Sequence, residues 1–365
     1  MKRSTIAVAL SGGIDSLYTA WRLKKEGHNL IGIHFVTGYE ISRIKSDDAP
    51  CEQLTLHSDT GKPAIPAMNH MASQLEIPIH IIDIREIFQK KVVVPFIDAY
   101  KSGQTPNPCQ LCNPTIKFGL LLEVAQSLGA KTLATGHYVR TKKDEAGRLH
   151  ILKGSDPTKD QSYFLAMVPP ENLARAIFPL GEMAKEEVKK EAFKAGLSSF
   201  AKGESQDICF IQGGDYKEFL LGQKGFSMTP GPITLEDGTE VGKHQGLHGF
   251  TIGQRRGINC PGPYPYYVLA LRPDENRLVV GKKESLLKTS CRVRDLNWIQ
   301  PPESLTFQTT CKIRYSHKGA SATLTWDPET QNGQITFESP QSAVTPGQGA
   351  VFYADDEVIG GGWII

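Results

Sequence analysis

No stretch of the chain approaches the roughly 18 consecutive apolar residues that would cross a bilayer as a helix, so no membrane partner is expected. Cysteine is scarce and odd in number, 7 in 365 residues. That excludes a disulfide-stapled scaffold and fits a reducing compartment in which thiols act as reactive groups or metal ligands. Charge of one sign is not in excess either, 41 Lys and Arg facing 39 Asp and Glu. A polyanion partner must therefore be met by local segregation of charge, not by net charge. Low-complexity tracts and short repeats are absent, and 39% hydrophobic with 22% charged residues excludes collagen, coiled-coil and disordered classes. The basic start Met1-Lys2-Arg3-Ser4-Thr5 leads into Ile6 to Leu10, which stops at Ser11-Gly12-Gly13. That apolar run is too short for the 7–15 residues, roughly, of a signal peptide core and reads as a first β-strand. A cytoplasmic enzyme of two or three domains is expected.

What is present first is an alternation of short apolar runs and helical patterns. Ile6 to Leu10 reads as a buried strand, Leu17 to Glu26 as a helix ended by Gly27, and Leu30 to Val36 as a second strand. Ile79 to Ile82 follows a helical stretch from about Pro66 to Glu76. Thr132 to Thr135 follows the helix Ile116 to Leu128, whose Ile116, Leu120, Leu121, Val124 and Leu128 are expected to share one face. Repeated βα units with apolar strands predict an α/β fold with a parallel sheet covered on both faces. From about Gly213 the texture changes to dense glycine and proline, with too few helix or strand signals before residue 280 to define elements. Beyond it come alternating segments such as Cys311 to Tyr315, and a hairpin of Thr323–Trp326 and Gln334–Phe337 joined by a longer loop that contains Asn332-Gly333. The expected domains are 1–212, 213–280 and a β-barrel over 281–365.

Ser11-Gly12-Gly13-Ile14-Asp15-Ser16 lies between the first strand and the first helix. Adjacent glycines let the backbone turn sharply against a ligand, and Ser11, Ser16 and the free amides of a helix N-terminus can donate to phosphate oxygens. Neither a Walker loop nor a dinucleotide fingerprint is present. Asp15 beside phosphate calls for Mg2+ as a shield. The motif resembles the pyrophosphatase-loop signature of ATP enzymes, which implies cleavage between the α- and β-phosphates to give AMP and pyrophosphate. Asp15→Ala is expected to abolish it and leave the fold intact.

Thr105-Pro106-Asn107-Pro108-Cys109-Gln110-Leu111-Cys112-Asn113 sets two thiols on a proline-rich loop before a helix, whose positive end is expected to lower their pKa. A third, Cys209, sits in Ile208-Cys209-Phe210-Ile211. Spacing alone leaves zinc, redox chemistry and a cluster open, although no second Cys or His pair completes a structural zinc site. Cys51, Cys260, Cys291 and Cys311 have no such context and read as small hydrophobes or incidental surface thiols.

With these segments in view, the sequence resembles the tRNA-specific 2-thiouridylase family. The likeness runs through Ser11 to Ser16, Thr105 to Pro108 with Cys112-Asn113 and Ile116-Lys117-Phe118, Ala134 to Tyr138, Lys159 to Leu165, Ile208 to Ile211, Thr251 to Gly257 and Ala343 to Gln348. It implies an adenine-nucleotide α-hydrolase-like domain (pyrophosphatase-loop, Rossmann-like), a small central domain and a C-terminal β-barrel, the last two helping to hold tRNA. The implied activity is ATP-dependent 2-thiolation of the wobble uridine. Implied ATP contacts are Ala9, Leu10, Ser11, Gly12, Gly13, Ile14, Asp15, Ser16, Phe35 and Gly136. Implied tRNA contacts are Asn107, Pro108, Cys109, His137, Lys159, Asp160, Gln161, Arg314, Tyr315 and Gln348. Cys112 corresponds to the nucleophile and Cys209 to the persulfide carrier, fed by a sulfur-donor protein or sulfide source.

Two departures from the family pattern stand out. Cys109 replaces an aspartate proposed for acid/base work, and Val36-Thr37-Gly38-Tyr39-Glu40 lacks the tryptophan pattern expected after the second strand. The extra thiol makes three, Cys109, Cys112 and Cys209, the number that binds a four-iron four-sulfur cluster with one iron open. The same residues also serve a persulfide relay, and composition does not choose between them. Residues 282–318 carry eight Lys/Arg against three acids, whereas 319–365 carry no Lys/Arg and six acids; the basic half is a candidate phosphate track. An amidating synthetase with the same loop, or an RNA-binding module without ATP turnover, are the competing readings.

Overall fold

The computed structural model describes residues 4–39, 66–198, 208–211, 215–223 and 226–365. Cys51, Glu40, Met1 to Arg3 and the expected domain boundary near Gly213 lie outside them. The chain forms two compact units, Met1–Lys91 with Cys109–Gln212 and Asp356–Val358, and Val92–Pro108 with Gly213–Asp355 and Ile359–Ile365. Among the described residues no helix is long and apolar enough to cross a membrane.

The first unit holds β1 (Ile6–Ala9), β2 (Leu30–Val36), β3 (Ile79–Asp83), β4 (Thr132–Ala134), β5 (Val139–Lys143), β6 (Leu149–Lys153) and β7 (Ala176–Ile177). Five of these form a sheet in the order β3-β2-β1-β4-β7, every pair parallel. Ile6, Ala7, Val8, Leu30, Ile33, Val36, Leu133 and Ala134 of these strands are buried, whereas Ile81 and Ile82 of β3 are half-buried. The helix Ile14–Lys25 lays Leu17, Ala20 and Leu23 on this sheet, beside Met71 and Leu75 of the helix Pro66–Leu75 and Val188 and Ala192 of the helix Lys185–Lys194. Each buried leucine contributes about 1.5–3 kcal/mol of burial. Gly27, at φ +81°, closes the first helix as its position predicts. β5 and β6 make an antiparallel hairpin whose Ile151 and Leu152 pair with Val358 and Glu357.

The helix expected over 116–128 begins earlier and is wound differently. Pro108–Cys112 runs into a π-helical segment Asn113–Leu120 and then Leu121–Ser127. The buried residues are Ile116, Phe118, Leu121, Leu122 and Ala125, while Leu128 is 36% exposed. The predicted face assumed a 3.6-residue period throughout. Bonding from residue i to i+5 advances the register by about one residue per turn, so the apolar face rotates from Leu121 onward.

The second unit contains β8 (Gly231–Thr234), β9 (Glu240–His244), β10 (Tyr267–Arg272) and β11 (Arg277–Gly281), in the order β10-β11-β8-β9. Ile233, Phe250, Ile258, Tyr266, Val268, Leu278 and Val280 form its core. These strands are four to six residues long, too short for alternation to emerge among so many glycines and prolines. β12 (Leu287–Trp298), β13 (Thr306–Lys312), β14 (Ala320–Asp327), β15 (Asn332–Ser342), β16 (Gly349–Ala354) and β17 (Glu357–Ile364) follow. They run β12-β15-β14-β13-β16-β17, and pairing of β12 with β17 closes a six-stranded barrel. The predicted hairpin is β14–β15, but Asn332 and Gly333 pair with Asp327 and Trp326 inside the ladder. The reversal falls instead at Pro328–Gln331, with Gln331 at φ +53°.

Residues 94–101 form a helix of this second unit, where Tyr100 stacks on Tyr216 at 5.0 Å and Phe96 meets Phe219 at 6.1 Å.

Candidate active site

In an open parallel sheet, ligands settle at the carboxyl ends of the strands where the strand order reverses. Here that point lies between β1 and β4, and the loops leaving them are Ser11 to Gly13 and Thr135 to His137. Gly12 takes φ +86°, a conformation side chains resist, and no atom lies within 4 Å of where a Cβ would stand. Gly13 is extended, and no side chain caps the helix Ile14–Lys25, so its first amides are available to an anion. The Ser16 hydroxyl donates to the Gly13 carbonyl at 2.9 Å and accepts from the Ser11 amide at 3.2 Å, folding the loop into a cradle. Ala9 and Leu10 lead into it from β1, and Phe35, half-buried, sits in β2 opposite Ile82.

Gly136 presses on this loop: a Cβ there would lie 3.0–3.1 Å from the carbonyl carbon, the oxygen and the Cβ of Asp15. Backbone atoms cannot yield cheaply, and overpacking of this kind costs about 1–3 kcal/mol. Gly136→Ala is therefore expected to weaken ATP binding about tenfold in calorimetric titration while the far-ultraviolet dichroism stays native. Unchanged affinity would separate Gly136 from the nucleotide site.

The sequence pattern missed the group that governs Asp15. Lys185, 5% exposed, places Nζ 2.6 Å and 2.7 Å from the two carboxylate oxygens of Asp15. The Tyr138 hydroxyl donates to Oδ1 at 2.8 Å, and the ammonium lies 5.8 Å from the Tyr138 ring centroid. The Asp156 carboxylate accepts the Lys185 amide at 3.0 Å, holding the start of the helix that carries the lysine. The charge of Asp15 is thus paired, in this structure, with a lysine 170 residues away in sequence. The only local signal was a lysine opening an amphipathic helix, which ordinary surface helices share.

The three thiols all belong to the first unit. Cys109 and Cys112 lie on the helix Pro108–Cys112. Contrary to the expectation from the helix end, burial pushes Cys112 up to about 12 and Cys109 up as well, with the Lys117 ammonium opposing weakly. Loss of hydration outweighs the helix dipole. Cys112 is the one of the three that feels both others, and none of the three is in a disulfide. Among the described residues no group of three or more His, Cys, Asp or Glu side chains has a metal-holding arrangement. Cys209 is exposed beside Phe210, 1% exposed, in a turn closed by the Ile211 amide on the Ile208 carbonyl. Phe210 is clasped by Tyr39 and Phe88 at 5.8 Å and 5.9 Å. The loop that departs from the family pattern after β2 thus supplies an aromatic anchor beside the exposed thiol.

The remaining expected site residues fall into two groups. His137 is 8% exposed, its Nδ1 2.7 Å from the Thr135 hydroxyl and its Nε2 3.5 Å from Lys117 Nζ. Burial, and then Lys117, hold it neutral. Asp160 is also buried, accepting from the amides of Gly154 and Ser162 and from the Ser162 hydroxyl, while Gln161 accepts the Tyr138 amide at 3.0 Å. These three brace the segment from within, and Lys159 is half-buried beside them. In the second unit Gln348 donates to the Thr105 carbonyl at 2.9 Å, and the Thr105 amide donates to Pro346 at 3.0 Å. That clasp holds the segment leading to Asn107 and Pro108. Arg314 donates to the Ser342 carbonyl at 3.2 Å, and Tyr315 is 40% exposed with Lys312 Nζ 5.9 Å from its ring centroid.

An anion cradle at the reversal point of a parallel sheet, its aspartate paired with a lysine from a distant helix, belongs to an ATP-using α/β protein of the HUP class. Family models described as "tRNA methyl transferase HUP domain", "tRNA methyl transferase PRC-barrel domain" and "Aminomethyltransferase beta-barrel domain" match residues 4–213, 217–282 and 288–364. A tRNA-specific 2-thiouridylase MnmA of Desulfosudis oleivorans is 45% identical over 359 residues, 98% of this chain and 94% of that one. Those of Geobacter metallireducens and Trichlorobacter lovleyi are 41% and 44% identical, each over 99% of this chain and 97% of the relative. The chain belongs to the tRNA-specific 2-thiouridylase family.

Proposed function

We propose that this enzyme replaces the C2 oxygen of a tRNA wobble uridine by sulfur at the expense of ATP. The observation that carries the reading is the presence, in one unit, of an anion cradle and of Cys112 with Cys109 and Cys209 as its neighbours. The uracil O2 attacks the α-phosphorus of ATP held at Ser11 to Ser16, pyrophosphate leaves, and C2 now carries AMP as a leaving group. The terminal sulfur of a persulfide on Cys209 attacks C2, and AMP departs. Cys112 then loses its proton and attacks the Cys209 sulfur. The S–S bond breaks, the thiocarbonyl remains on C2 and a Cys112–Cys209 disulfide forms, which a thiol reductant resets. With burial pushing Cys112 up to about 12, proton removal is part of the attack and not a prior equilibrium.

Asp15, paired with Lys185 in the structure, is the residue that would hold Mg2+ arriving with ATP, and the ion would shield the phosphate charge there. On this reading residues 1–212 adenylate and transfer sulfur, while 213–280 and 281–365 hold tRNA. Lys159, Arg314 and Tyr315 are offered as direct contacts, and Asn107, Pro108 and Cys109 as the segment at the target base. His137, Asp160, Gln161 and Gln348 are offered as braces behind those surfaces. The sulfur arrives from a donor protein or sulfide. Methyl transfer, the activity in the name of the matching HUP family, gives no role to an anion cradle joined to thiols.

Incubation with tRNA, ATP, magnesium and a sulfur source is expected to give 2-thiouridine by nucleoside mass analysis, with AMP and pyrophosphate in equal amounts. ADP and phosphate would overturn the reading, and activity without thiols would favour an amidating synthetase. Arg314→Ala is expected to weaken tRNA binding but not ATP binding, and to lower the salt dependence by about one charge. An unchanged salt slope in filter binding removes Arg314 from the RNA surface.

A further inference from the structure

The second unit contains a cavity of about 580 Å³ that none of the foregoing chemistry uses. It is lined by the irregular segment from Arg255 to Tyr266, including Ile258, Asn259, Cys260 and Tyr264. Its volume is within the range of small-ligand sites, on the order of 300–1,000 Å³. Pro261, Pro263 and Pro265 alternate through its wall, and each fixes its own φ, so the wall is built before any ligand arrives. Below it, Cys260 Sγ donates to the Val241 carbonyl and Tyr266 is 7% exposed, tying the segment to the core of the small sheet.

Two features define what would fit. Tyr264 is half-buried, meets Tyr266 edge-on at 5.3 Å, and has Lys282 Nζ 5.1 Å from its ring centroid. Arg255 on the rim and its neighbour Arg256 are exposed, and neither guanidinium has an ion-pair or hydrogen-bond partner among the described residues. An aromatic ring with the Lys282 ammonium over it, in a pocket whose preformed wall also carries Arg255, matches a base that stacks and a phosphate that follows it. A free acidic peptide would use the cations and leave the tyrosine idle. A purely apolar ligand would leave the arginines idle.

We propose that this cavity is a second RNA subsite, which takes one unpaired nucleotide of the bound tRNA with its base against Tyr264 and its phosphate between Arg255 and Lys282. The proposal rests on the tRNA reading above and adds to it a site remote in sequence from both the thiols and the ATP loop. It fixes how the substrate is held, not how it reacts.

The full-length chain is tested as wild type, Tyr264→Ala, Tyr264→Phe and Arg255→Gln, with tRNA affinity measured by filter binding over a salt series. Base stacking on an aromatic is worth about 1–3 kcal/mol. Tyr264→Ala is expected to weaken tRNA binding about tenfold and Tyr264→Phe by less than about twofold on the same scale. Arg255→Gln is expected to lower the salt slope by about one. Ultraviolet cross-linking should attach a single nucleotide to the peptide bearing Tyr264. Wild-type affinity in Tyr264→Ala together with an unaltered slope in Arg255→Gln, in a protein that still thiolates tRNA, overturns the subsite alone. If Tyr264→Ala does not fold, the exposed Arg255 and the cross-link decide. A wild-type chain that neither binds nor thiolates tRNA overturns the functional reading instead.

Discussion

Replacing Asp15 by alanine will abolish ATP-dependent turnover and also remove about 2–3 kcal/mol of stability, and adding Lys185→Met will restore most of the stability and none of the turnover. From the sequence alone, Asp15→Ala is expected to leave the fold intact. The structure alters that expectation because the Lys185 side chain is 7% exposed whereas that of Asp15 is 31% exposed. Removing the carboxylate strands a buried ammonium, and breaking a buried pair on one side costs about 3–5 kcal/mol; the partial exposure of Asp15 and the neighbouring Tyr138 ring reduce that figure. Removing both charges leaves an apolar side chain in an apolar setting, which is close to neutral. Urea denaturation of the two single variants and the double variant, with pyrophosphate release measured on the same samples, tests this directly. Equal stability of Asp15→Ala and wild type would mean that the ion pair does not hold the loop. Recovery of turnover in the double variant would mean that neither charge acts on ATP.

What the sequence disclosed was whatever depends on neighbours along the chain. The strand, glycine turn and helix around Ser11 to Ser16 are local, and the parallel sheet follows from apolar runs spaced by helices. Lys185 was not legible because its meaning lies in a contact 170 residues away, and lysines at helix starts are commonplace. The thiol environment was misjudged for a related reason. A helix end is visible in sequence, but the burial that outweighs it at Cys112 is tertiary. The π-helical winding of Asn113–Leu120 likewise has no composition that announces it, so the predicted face lost register. The residues that resemble tRNA contacts proved to be of two physical kinds: half-exposed side chains such as Lys159 and Tyr315, and buried ones such as Asp160 and His137, which act through what they hold. Only burial distinguishes them.

Alanine at Cys112 or Cys209 is expected to lower 2-thiouridine formation by at least about a thousandfold, the scale of losing a covalent group, while pyrophosphate release on tRNA persists. Adenylation needs only the cradle, and both sulfurs of the eventual disulfide are needed for transfer. Cys109→Ala separates the two ways of holding sulfur. Cys109 stands three residues before Cys112 on the same helix, and its thiol is one of the charges Cys112 feels, so it is close enough to serve either. In the relay the bonds formed and broken involve Cys112 and Cys209 alone, and Cys109→Ala should retain at least half of wild-type thiolation. In the cluster alternative the same substitution deletes one of three iron ligands and the activity falls with the iron. Anaerobic reconstitution, iron and sulfide analysis, and thiolation assays on wild type and Cys109→Ala decide it. Wild-type protein that takes up four irons, and a Cys109→Ala variant that loses both iron and activity, would replace the Cys112–Cys209 relay with a cluster-held sulfide.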